Sequence, residues 1–399
     1  MSNTCGMVAL SSNKFYPLSI PNIGPVERDL VLKAIDGGWI SSVGPQVGEF
    51  EEEFAKYVGA RFAVACSSGT AALHVALRVI GIGFGDEVLV PNMTFVATAN
   101  AVSYTGAKPV LVDIDKDTLG VSVDSVRNFL RNETENIDGY VTNKNTGGKV
   151  KAALPVHMLG TPVDMQALAE VCDEYGLRIV EDATESLGSL YNGKMTGTLS
   201  EVACFSFNGN KLITTGGGGM LVTGNECLAN KARHLTTTAK VDNTFFIHDE
   251  IGFNYRLVNI LAALGLGQLQ RVDEFLKIKR QNHRDYKKFL SGNAKVSLFC
   301  PTDHSQSNHW LNMISFSDDV INSIKLAEII QKLNDNGIQS RPMWTLLDEL
   351  PMYNDRCFVS LHNSKDIHSR SLMLPSDTTL SSEDIEFISS RILDLCQKI

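Results

Sequence analysis

Short apolar runs alternate with helical patterns between residues 62 and 222, and this alternation restricts the possible folds more than any other feature. The runs that predict strands are Phe62–Cys66, Glu87–Val90, Pro109–Val112, Val150–Val156, Arg178–Glu181, Val202–Phe207 and Gly219–Val222. The patterns that predict helices are Gly69–Ile80, Phe95–Tyr104 and Asp164–Tyr175. Strands and helices that alternate in this way indicate an α/β fold with a mostly parallel sheet and helices on both faces. In such a fold, ligands bind at the loops beyond the carboxyl ends of the strands.

The pattern changes after residue 222, where helical sequences become more frequent. The predicted elements there are helices at Asn225–Leu235, at Leu257–Phe275 continuing into Lys277–Leu290, at Ser323–Asn336 and at Ser382–Gln397, with a strand at His309–Phe316. We therefore predict an N-terminal extension at residues 1–17, a large domain at 18–285 and a smaller C-terminal domain at 286–399. The polar stretch Arg131–Lys149 predicts an irregular excursion at the surface.

The charge and the cysteine pattern argue against several classes of protein. The net charge of −9 is unlike that of most nucleic-acid-binding surfaces. The basic segment KIKRQNHRDYKK at 277–288 is interpreted as a solvated helix face, or as a surface that attracts a diphosphate. Eight scattered cysteines without a Cys-x-x-Cys pair fit reduced thiols, and no histidine pair has zinc-site spacing. Since neither a signal peptide nor a membrane-spanning run is recognised, we expect a cytoplasmic protein without metal, membrane or nucleic acid.

A buried strand that ends in two acids is the first candidate for chemistry. The sequence RIVEDATE at 178–185 places Asp182 at the carboxyl end of a predicted parallel strand. Because burying an unpaired carboxylate is costly, such an acid is expected to have a cationic partner. The structural alternative is a helix cap or a surface acid. The functional interpretation is a carboxylate that pairs with a cationic ligand group, such as a protonated pyridine nitrogen.

A single lysine in front of four glycines is the second candidate. Lys211 lies in SFNGNKLITTGGGG, between two predicted strands, and the glycines allow a close approach of a ligand or another backbone. The order of residues does not match a Walker phosphate loop. A solvated surface lysine is the structural alternative. A desolvated lysine that faces a cofactor aldehyde would form a Schiff base.

The third candidate is the strand-to-helix junction CSSGTAAL at 66–73. The first turn of the helix offers free backbone N–H groups and the positive end of the helix dipole, with hydroxyl groups beside them. A plain helix cap is the alternative. A phosphate cup, an acid for a ring nitrogen and a strand-end lysine are together what pyridoxal phosphate requires, because the acid keeps the ring electron-accepting and the lysine transfers the proton.

The motifs resemble those of the DegT–DnrJ–StrS family of nucleotide-sugar aminotransferases. The resemblance covers roughly Leu18 to the C-terminus and is carried by SSGTAAL, PNMTFVATANAV, PVHMLG, VEDATESLG, FSFNGNK followed by TTGGGG, and IGFNYRLVNILAALGLGQL. It implies fold-type I of the pyridoxal-phosphate enzymes, in which the large domain has a mixed, mostly parallel sheet and the smaller C-terminal domain is α+β. It also implies a homodimer with shared active sites.

The resemblance implies a role for each matching residue. Lys211 would form the Schiff base with pyridoxal 5'-phosphate, and Asp182 would pair with its ring nitrogen. The other implied cofactor contacts are Ser68, Gly69, Thr70, Phe95, Glu185, Ser206 and, from the neighbouring subunit, Asn254. The implied or predicted substrate contacts are Trp39, Ile40, Ser41, Ser42, His157, Arg341, Pro342, Met343 and Trp344.

Two positions refine what the resemblance implies. Family members usually have glutamine three residues after the aspartate, whereas this chain has Glu185, a carboxylate that would repel the phenolic oxygen of the cofactor unless one of them is protonated. Family members that act as dehydratases have histidine in place of the lysine, so Lys211 favours transamination.

Within the family, HLTTTAK at 234–240 and the FNGNK motif look most like the aminotransferases of bacillosamine and legionaminic acid synthesis. Those enzymes transfer an amino group from L-glutamate to carbon 4 of a nucleotide-linked, usually UDP-linked, 4-keto-6-deoxy-N-acetylhexosamine. The same chemistry on a GDP- or dTDP-linked 3- or 4-keto sugar remains an alternative. A non-catalytic regulator that kept the cofactor fold is a further alternative, against which the presence of Lys211, Asp182 and Ser206 argues.

Overall fold

The computed structural model describes residues 14–242, 244–356 and 358–397. Most of the predicted N-terminal extension, together with Cys5 and Cys357, lies outside the described residues. The strands are β1 (Phe62–Cys66), β2 (Asp86–Pro91), β3 (Lys108–Val112), β4 (Thr134–Ile137), β5 (Tyr140–Asn143), β6 (Lys149–Ala153), β7 (Arg178–Asp182), β8 (Leu190–Tyr191), β9 (Lys194–Met195), β10 (Val202–Ser206), β11 (Gly219–Thr223), β12 (Lys240–Asp242), β13 (Ile247–His248), β14 (Val296–Leu298), β15 (Ser305–Gln306), β16 (Asn312–Phe316), β17 (Arg341–Pro342) and β18 (Ser371–Leu374).

Helices cover both faces of the large sheet, and helices also pack against the small sheet. They are α1 (Pro25–Asp36), α2 (Pro45–Val58), α3 (Gly69–Val79), α4 (Ala97–Tyr104), α5 (Val123–Glu133), α6 (Met165–Tyr175), α7 (Glu226–Thr236), α8 (Asn259–Gln270), α9 (Val272–Leu290), α10 (Asp318–Ser323), α11 (Leu326–Asp335), α12 (His362–Arg370) and α13 (Ser382–Gln397).

The main sheet has the strand order β1-β11-β10-β7-β6-β2-β3, and the β4–β5 hairpin adds to it beside β6. Neighbours from β3 to β10 are parallel, whereas β11 runs antiparallel to both β10 and β1. The predicted mixed, mostly parallel sheet is therefore confirmed. Because β7 and β10 are parallel neighbours, their carboxyl ends, Asp182 and Ser206, lie at the same edge of the sheet.

Two apolar layers hold this sheet, one on each face. On one face, α3 and α4 bury small and aliphatic side chains such as Leu73 and Leu77. On the other, α2 and α8 enclose an aromatic cluster in which Phe54 packs edge-to-face against both Phe205 and Phe207. Aromatic pairs of this geometry stabilise a fold by more than the burial of their surface alone. The cluster therefore holds β10, the strand that leads to the Lys211 loop, in place.

A four-stranded antiparallel sheet of order β14-β16-β18-β17 forms the C-terminal part, with α9, α11 and α13 packed against it. Tyr16 is buried in this core, and its backbone pairs with Ile338. The chain before α1 thus packs on the C-terminal part. The domain division at residue 285 stays a prediction, and that residue lies within α9, which spans both parts.

The structure corrects two expectations about the elements. The stretch Arg131–Lys149 is not irregular throughout, because two of its segments pair as the antiparallel strands β4 and β5. The helical run after Leu257 is divided into α8 and α9, which meet at Arg271, where the guanidinium bonds to the buried carboxylate of Glu27 at 3.0 Å. In the described part of the chain, no helix has the length and apolar character that crossing a membrane requires.

Candidate active site

A cavity of about 540 Å³ lies at the carboxyl ends of β7 and β10 and extends to the C-terminal sheet. Ten of the residues that the sequence singled out line it: Ser68, Gly69, Thr70, Phe95, Asp182, Glu185, Ser206, Lys211, Arg341 and Trp344. Residues from five separate stretches of sequence therefore meet in one place. A volume of this size accommodates a cofactor together with part of a second ligand.

The junction between β1 and α3 forms one end of the cavity. Ser68 caps α3, and its hydroxyl accepts a hydrogen bond from the Ala71 N–H at 3.0 Å. A Cβ on Gly69 would lie 2.8 Å from Cβ of Ser206, and one on Gly219 would lie 2.5 Å from the Ser68 backbone. Glycine is thus required at both positions for the helix N-terminus to lie against the end of β10. The result is a cup of N–H and hydroxyl groups suited to a phosphate.

Asp182 is almost fully buried at the end of β7 and faces the same cavity. Its Oδ2 accepts a hydrogen bond from Thr98 Oγ1 at 2.9 Å, and its Oδ1 accepts one from Thr184 Oγ1 at 2.6 Å. The Thr184 N–H also donates to Oδ1 at 3.2 Å. These donors hold the carboxylate in one orientation, and Oδ2, which accepts one of the three bonds, keeps a lone pair for a cationic group in the cavity.

Lys211 lies in the loop between β10 and β11, with its side chain 13% exposed. Its Nζ is 3.6 Å from Oε1 of Glu185, whose Oε2 accepts the Leu159 N–H at 2.8 Å. Burial lowers the pKa of Lys211, although Glu185 and Asp182 oppose that shift. Burial also raises the pKa of Glu185, against the effect of Lys211. Both shifts favour the neutral forms of the two groups.

Further lining residues come from the C-terminal part and from the chain before α1. Sequence reasoning found Arg341 and Trp344 there but missed Trp310 and Gln339. It also missed Leu18, Ser19, Thr94, Thr98 and Thr184 among the lining residues. Thr98 and Thr184 could have been found, because they stand in the motifs that contain Phe95 and Asp182.

Several predicted residues lie outside the lining of this cavity. Trp39, Ile40 and Ser41 are exposed in the loop after α1, and Ser42 next to them is partly exposed. Asn254 is exposed beside Thr237, with which its backbone pairs. In the C-terminal part, Pro342 is exposed and Met343 is buried in an apolar cluster.

His157 is fully buried and is not among the residues that line the cavity. Its Nε2 lies 3.1 Å from Oε2 of Glu181, and its Nδ1 accepts the Val163 N–H at 3.1 Å. Glu181 also accepts the backbone N–H groups of Gly197 and Leu199. The histidine therefore donates to a buried carboxylate and stabilises the strand that ends in Asp182.

One group of possible metal ligands occurs among residues 14–242, 244–356 and 358–397. It consists of His234, Asp249 and Glu250, near the surface hairpin β12–β13. The ammonium of Lys231 already forms an ion pair with Glu250. A cation in this position would compete with that lysine, and the group lies outside the lining of the cavity.

The residues present fit pyridoxal 5'-phosphate. The cup at Ser68–Thr70 suits the phosphate, the buried carboxylate of Asp182 suits a protonated ring nitrogen, and the amine of Lys211 lies within the same cavity. A cup, a carboxylate and an amine arranged in this way on a fold-type I scaffold define the class of pyridoxal-phosphate-dependent transferases.

The chain belongs to the DegT/DnrJ/EryC1/StrS aminotransferase family, whose sequence profile matches residues 21–393. It is 36% identical over 375 residues to the putative pyridoxal phosphate-dependent aminotransferase EpsN of Bacillus subtilis, covering 93% of each chain. It is 35% identical to the GDP-perosamine synthase of Escherichia coli O157:H7, covering 95% of this chain and 98% of that protein. The resemblance found in the motifs is thereby confirmed.

Solved structures agree with this assignment. The putative sugar aminotransferase Spr1654 of Streptococcus pneumoniae superimposes with a TM-score of 0.86 at 26% identity, covering 96% of this chain and 98% of that one. DesV of S. venezuelae superimposes with a TM-score of 0.83 at 29% identity, covering 94% of this chain and 95% of that one. The protein is thus a sugar aminotransferase that uses pyridoxal phosphate and has the fold-type I architecture.

Proposed function

We propose that this protein transfers the amino group of L-glutamate to carbon 4 of a nucleotide-linked 4-keto-6-deoxy-N-acetylhexosamine. The nucleotide is proposed to be UDP, and the product a precursor of a bacterial surface glycan of the bacillosamine or legionaminic acid type. The observation that carries the proposal is one cavity that is lined both by Lys211 and Asp182 and by Arg341, Gln339 and Trp344. The first two residues suit the cofactor, and the other three suit a larger polar substrate.

Three residues of the chain have separate roles in the proposed reaction. When bound, pyridoxal phosphate supplies an electron sink for the carbanion that forms at the amino-bearing carbon. Asp182, whose two oxygens are fixed by Thr98 and Thr184, would keep a proton on the ring nitrogen. Lys211 would hold the aldehyde of the cofactor and, as a free amine, would move a proton on and off the reacting carbon. Glu185, 3.6 Å from Nζ, accepts or returns that proton.

The residues proposed to contact the substrate supply a positive charge and an aromatic face. Arg341 offers a guanidinium at the cavity, which suits a diphosphate or the carboxylate of glutamate, because planar bidentate contacts favour both groups. Trp344 offers an aromatic face for a sugar or base. The roles of Phe95, Pro342 and Met343, and those of Ser68, Thr70 and Ser206 toward the phosphate, remain part of this proposal.

A homodimer with shared active sites is part of the proposal. Asn254 is exposed outside the lining of the cavity of its own chain, as expected if it contributes to the neighbouring one. Beside it, large apolar side chains are exposed on and after the β12–β13 hairpin: Phe245, Phe246, Ile247 and Ile251. If the sites are shared, mixing inactive Lys211→Ala with inactive Asn254→Ala protein restores activity through hybrid dimers. Activity that stays absent in the mixture would contradict sharing.

The cytoplasm is the proposed location, since nucleotide sugars are cytoplasmic substrates in this scheme. The six described cysteines, four of them buried, are all free thiols, which fits a reducing compartment.

A second candidate substrate is a GDP-linked keto sugar. It is favoured by relatives named GDP-perosamine synthase in Escherichia coli and in Caulobacter vibrioides, the latter 37% identical over 373 residues and matched over 92% of this chain and 95% of that protein. The two candidates differ in the base and in the N-acetyl group of the sugar. Both use the same chemistry at Lys211.

Mass spectrometry of the products separates the two candidates. The protein, loaded with pyridoxal phosphate, is incubated with L-glutamate and either the UDP-linked 4-keto-6-deoxy-N-acetylglucosamine or the GDP-linked 4-keto-6-deoxymannose, with Lys211→Ala as the matched control. A 4-amino product from the UDP sugar alone supports the first candidate, and one from the GDP sugar alone supports the second. If neither sugar is aminated while glutamate still converts the cofactor, both acceptors are wrong.

A further inference from the structure

Trp310 lies directly against Lys211, although 99 positions separate them in the sequence. Nζ of Lys211 is 3.7 Å from the centroid of the indole ring. Trp310 is 2% exposed, and its ring stacks on Trp344 with centroids 6.2 Å apart and an angle of 22° between the planes. An ammonium over the face of a buried indole is attracted by the ring quadrupole, and this attraction is strongest when water is excluded.

Hydrogen bonds at three points hold Trp310 in this orientation. Its Nε1–H donates to the carbonyl of Asn210, the residue before Lys211, at 2.7 Å. Its backbone N–H donates to Oδ1 of Asn308 at 2.8 Å, and its carbonyl accepts Nζ of the buried Lys279 at 3.0 Å. The indole therefore contacts the lysine through its face and the lysine-bearing loop through its edge.

Asn308 connects the same segment to Glu185, the other neighbour of Lys211. Its Nδ2 donates to the carbonyls of Glu185 and Leu187, each at 2.9 Å. A Cβ on Gly160 would collide with Oδ1 of Asn308, so the residue opposite is kept small. Contacts thus connect Lys211 to Glu185, Glu185 to Asn308 and Asn308 to Trp310. Trp310 in turn contacts the loop that carries Lys211.

We propose that Trp310 is a positioning residue that keeps the amine of Lys211 inside the cavity, by covering it with the indole face and by fixing the Asn210 carbonyl with the indole N–H. The segment that carries Trp310 precedes β16, so the C-terminal part of the chain helps to place a lysine in the loop between β10 and β11. Glu185 and Asp182 also attract the amine electrostatically.

The test compares Trp310→Leu and Trp310→Phe in the cofactor-free protein. Phenylalanine keeps an aromatic face and loses the N–H, whereas leucine loses both. The readout is the pH at which acylation of Lys211, followed peptide by peptide, reaches half its maximum. If a substitution only changes the access of the reagent to Lys211, the acylation rate changes at every pH. If it removes the cation–π contact, the pH of half-maximal acylation changes. The matched control is Tyr140→Leu, which removes a ring that holds Lys149 at 3.8 Å on the surface hairpin.

The Trp310→Leu midpoint is expected at lower pH, by an amount that corresponds to about a 3- to 30-fold change in the acid dissociation constant of Lys211. Trp310→Phe is expected to lie closer to the wild type, and Tyr140→Leu to match it. A Trp310→Leu midpoint equal to or above that of the wild type overturns the proposal, and a Trp310→Phe midpoint shifted as far as that of the leucine variant overturns the role of the indole face.

A second measurement needs no variant of Trp310 and applies if Trp310→Leu does not fold. The tryptophan fluorescence of the cofactor-free wild-type protein is expected to change with pH as Lys211 loses its proton, and Lys211→Met is expected to lack that transition. The same transition in Lys211→Met would overturn the proposal. The inference rests on the proposed role of Lys211, but both measurements omit cofactor and sugar, so their failure is distinguishable from failure of the proposed function.

Discussion

The Nζ atom of Lys211 and Oε1 of Glu185 lie 3.6 Å apart at the floor of the cavity. Burial lowers the pKa of the lysine and raises that of the glutamate, and each partner opposes the shift of the other. The pKa of Lys211 therefore depends both on desolvation and on the carboxyl group of Glu185, which accepts a backbone hydrogen bond from Leu159.

Glu185→Gln is expected to lower the pKa of Lys211 further. Glutamine still accepts the Leu159 N–H but no longer attracts an ammonium, and an opposite charge at this distance in a partly buried site changes an acid dissociation constant by roughly tenfold or more. Site-specific acylation of Lys211 in the cofactor-free protein, measured against pH, checks this. The control Glu201→Gln neutralises an acid of the exposed Arg178 pair and is expected to change nothing. An unchanged midpoint in Glu185→Gln would show that the carboxyl group does not act on the lysine.

Gly69→Ala is expected to weaken cofactor binding by roughly 5- to 100-fold, or to lower the stability by about 1–3 kcal/mol, the usual cost of overpacking. The new Cβ would lie 2.8 Å from Cβ of Ser206 and 3.1 Å from its hydroxyl, so the cup must widen. Binding is measured by titrating the cofactor-free protein with pyridoxal phosphate. The control Gly48→Ala lies in α2 with nothing near the added methyl group and is expected to stabilise the protein slightly. Equal binding by both variants would contradict the assigned cup.

These elements also show how far the sequence alone reaches. The strands of the main sheet and the cup residues were predictable, because apolar runs and the Ser-Ser-Gly-Thr junction are local signals. The β4–β5 hairpin was missed because most of its side chains are polar, and its apolar residues Ile137, Tyr140 and Val141 do not form the alternating pattern that predicts a strand. Trp310 was missed because its role depends on contact with Lys211, and no local pattern encodes a contact between residues so far apart.

His157→Leu is expected to lower the free energy of unfolding by about 1–3 kcal/mol and to leave the KM for the sugar unchanged. The substitution deprives Glu181 of its histidine donor and the Val163 N–H of its acceptor, and buried polar groups without partners destabilise a fold. Urea denaturation and steady-state kinetics test the two parts separately, with the exposed His304→Leu as the control. A raised KM with an unchanged free energy of unfolding would instead indicate that His157 contacts the substrate.

Lys279 provides a pH-dependent term in the stability. Burial lowers its pKa in the folded protein to about 8, whereas an unfolded lysine titrates near 10.4. Between these values the unfolded chain binds more protons than the folded one, so stability rises with pH in this window. The unfolding free energy of the wild type relative to Lys279→Met is therefore expected to increase between pH 8 and pH 10, by up to about 3 kcal/mol. A difference that stays flat or falls across this range would contradict the assignment.

Whether Lys211 holds the cofactor is tested by reducing the protein loaded with pyridoxal phosphate with borohydride and identifying the modified peptide by mass spectrometry. One cofactor per chain is expected, attached to Nζ of Lys211, and no attachment is expected in Lys211→Ala. A cofactor attached mainly to another lysine, or equal labelling of Lys211→Ala, would contradict the claim that this cavity is the active site.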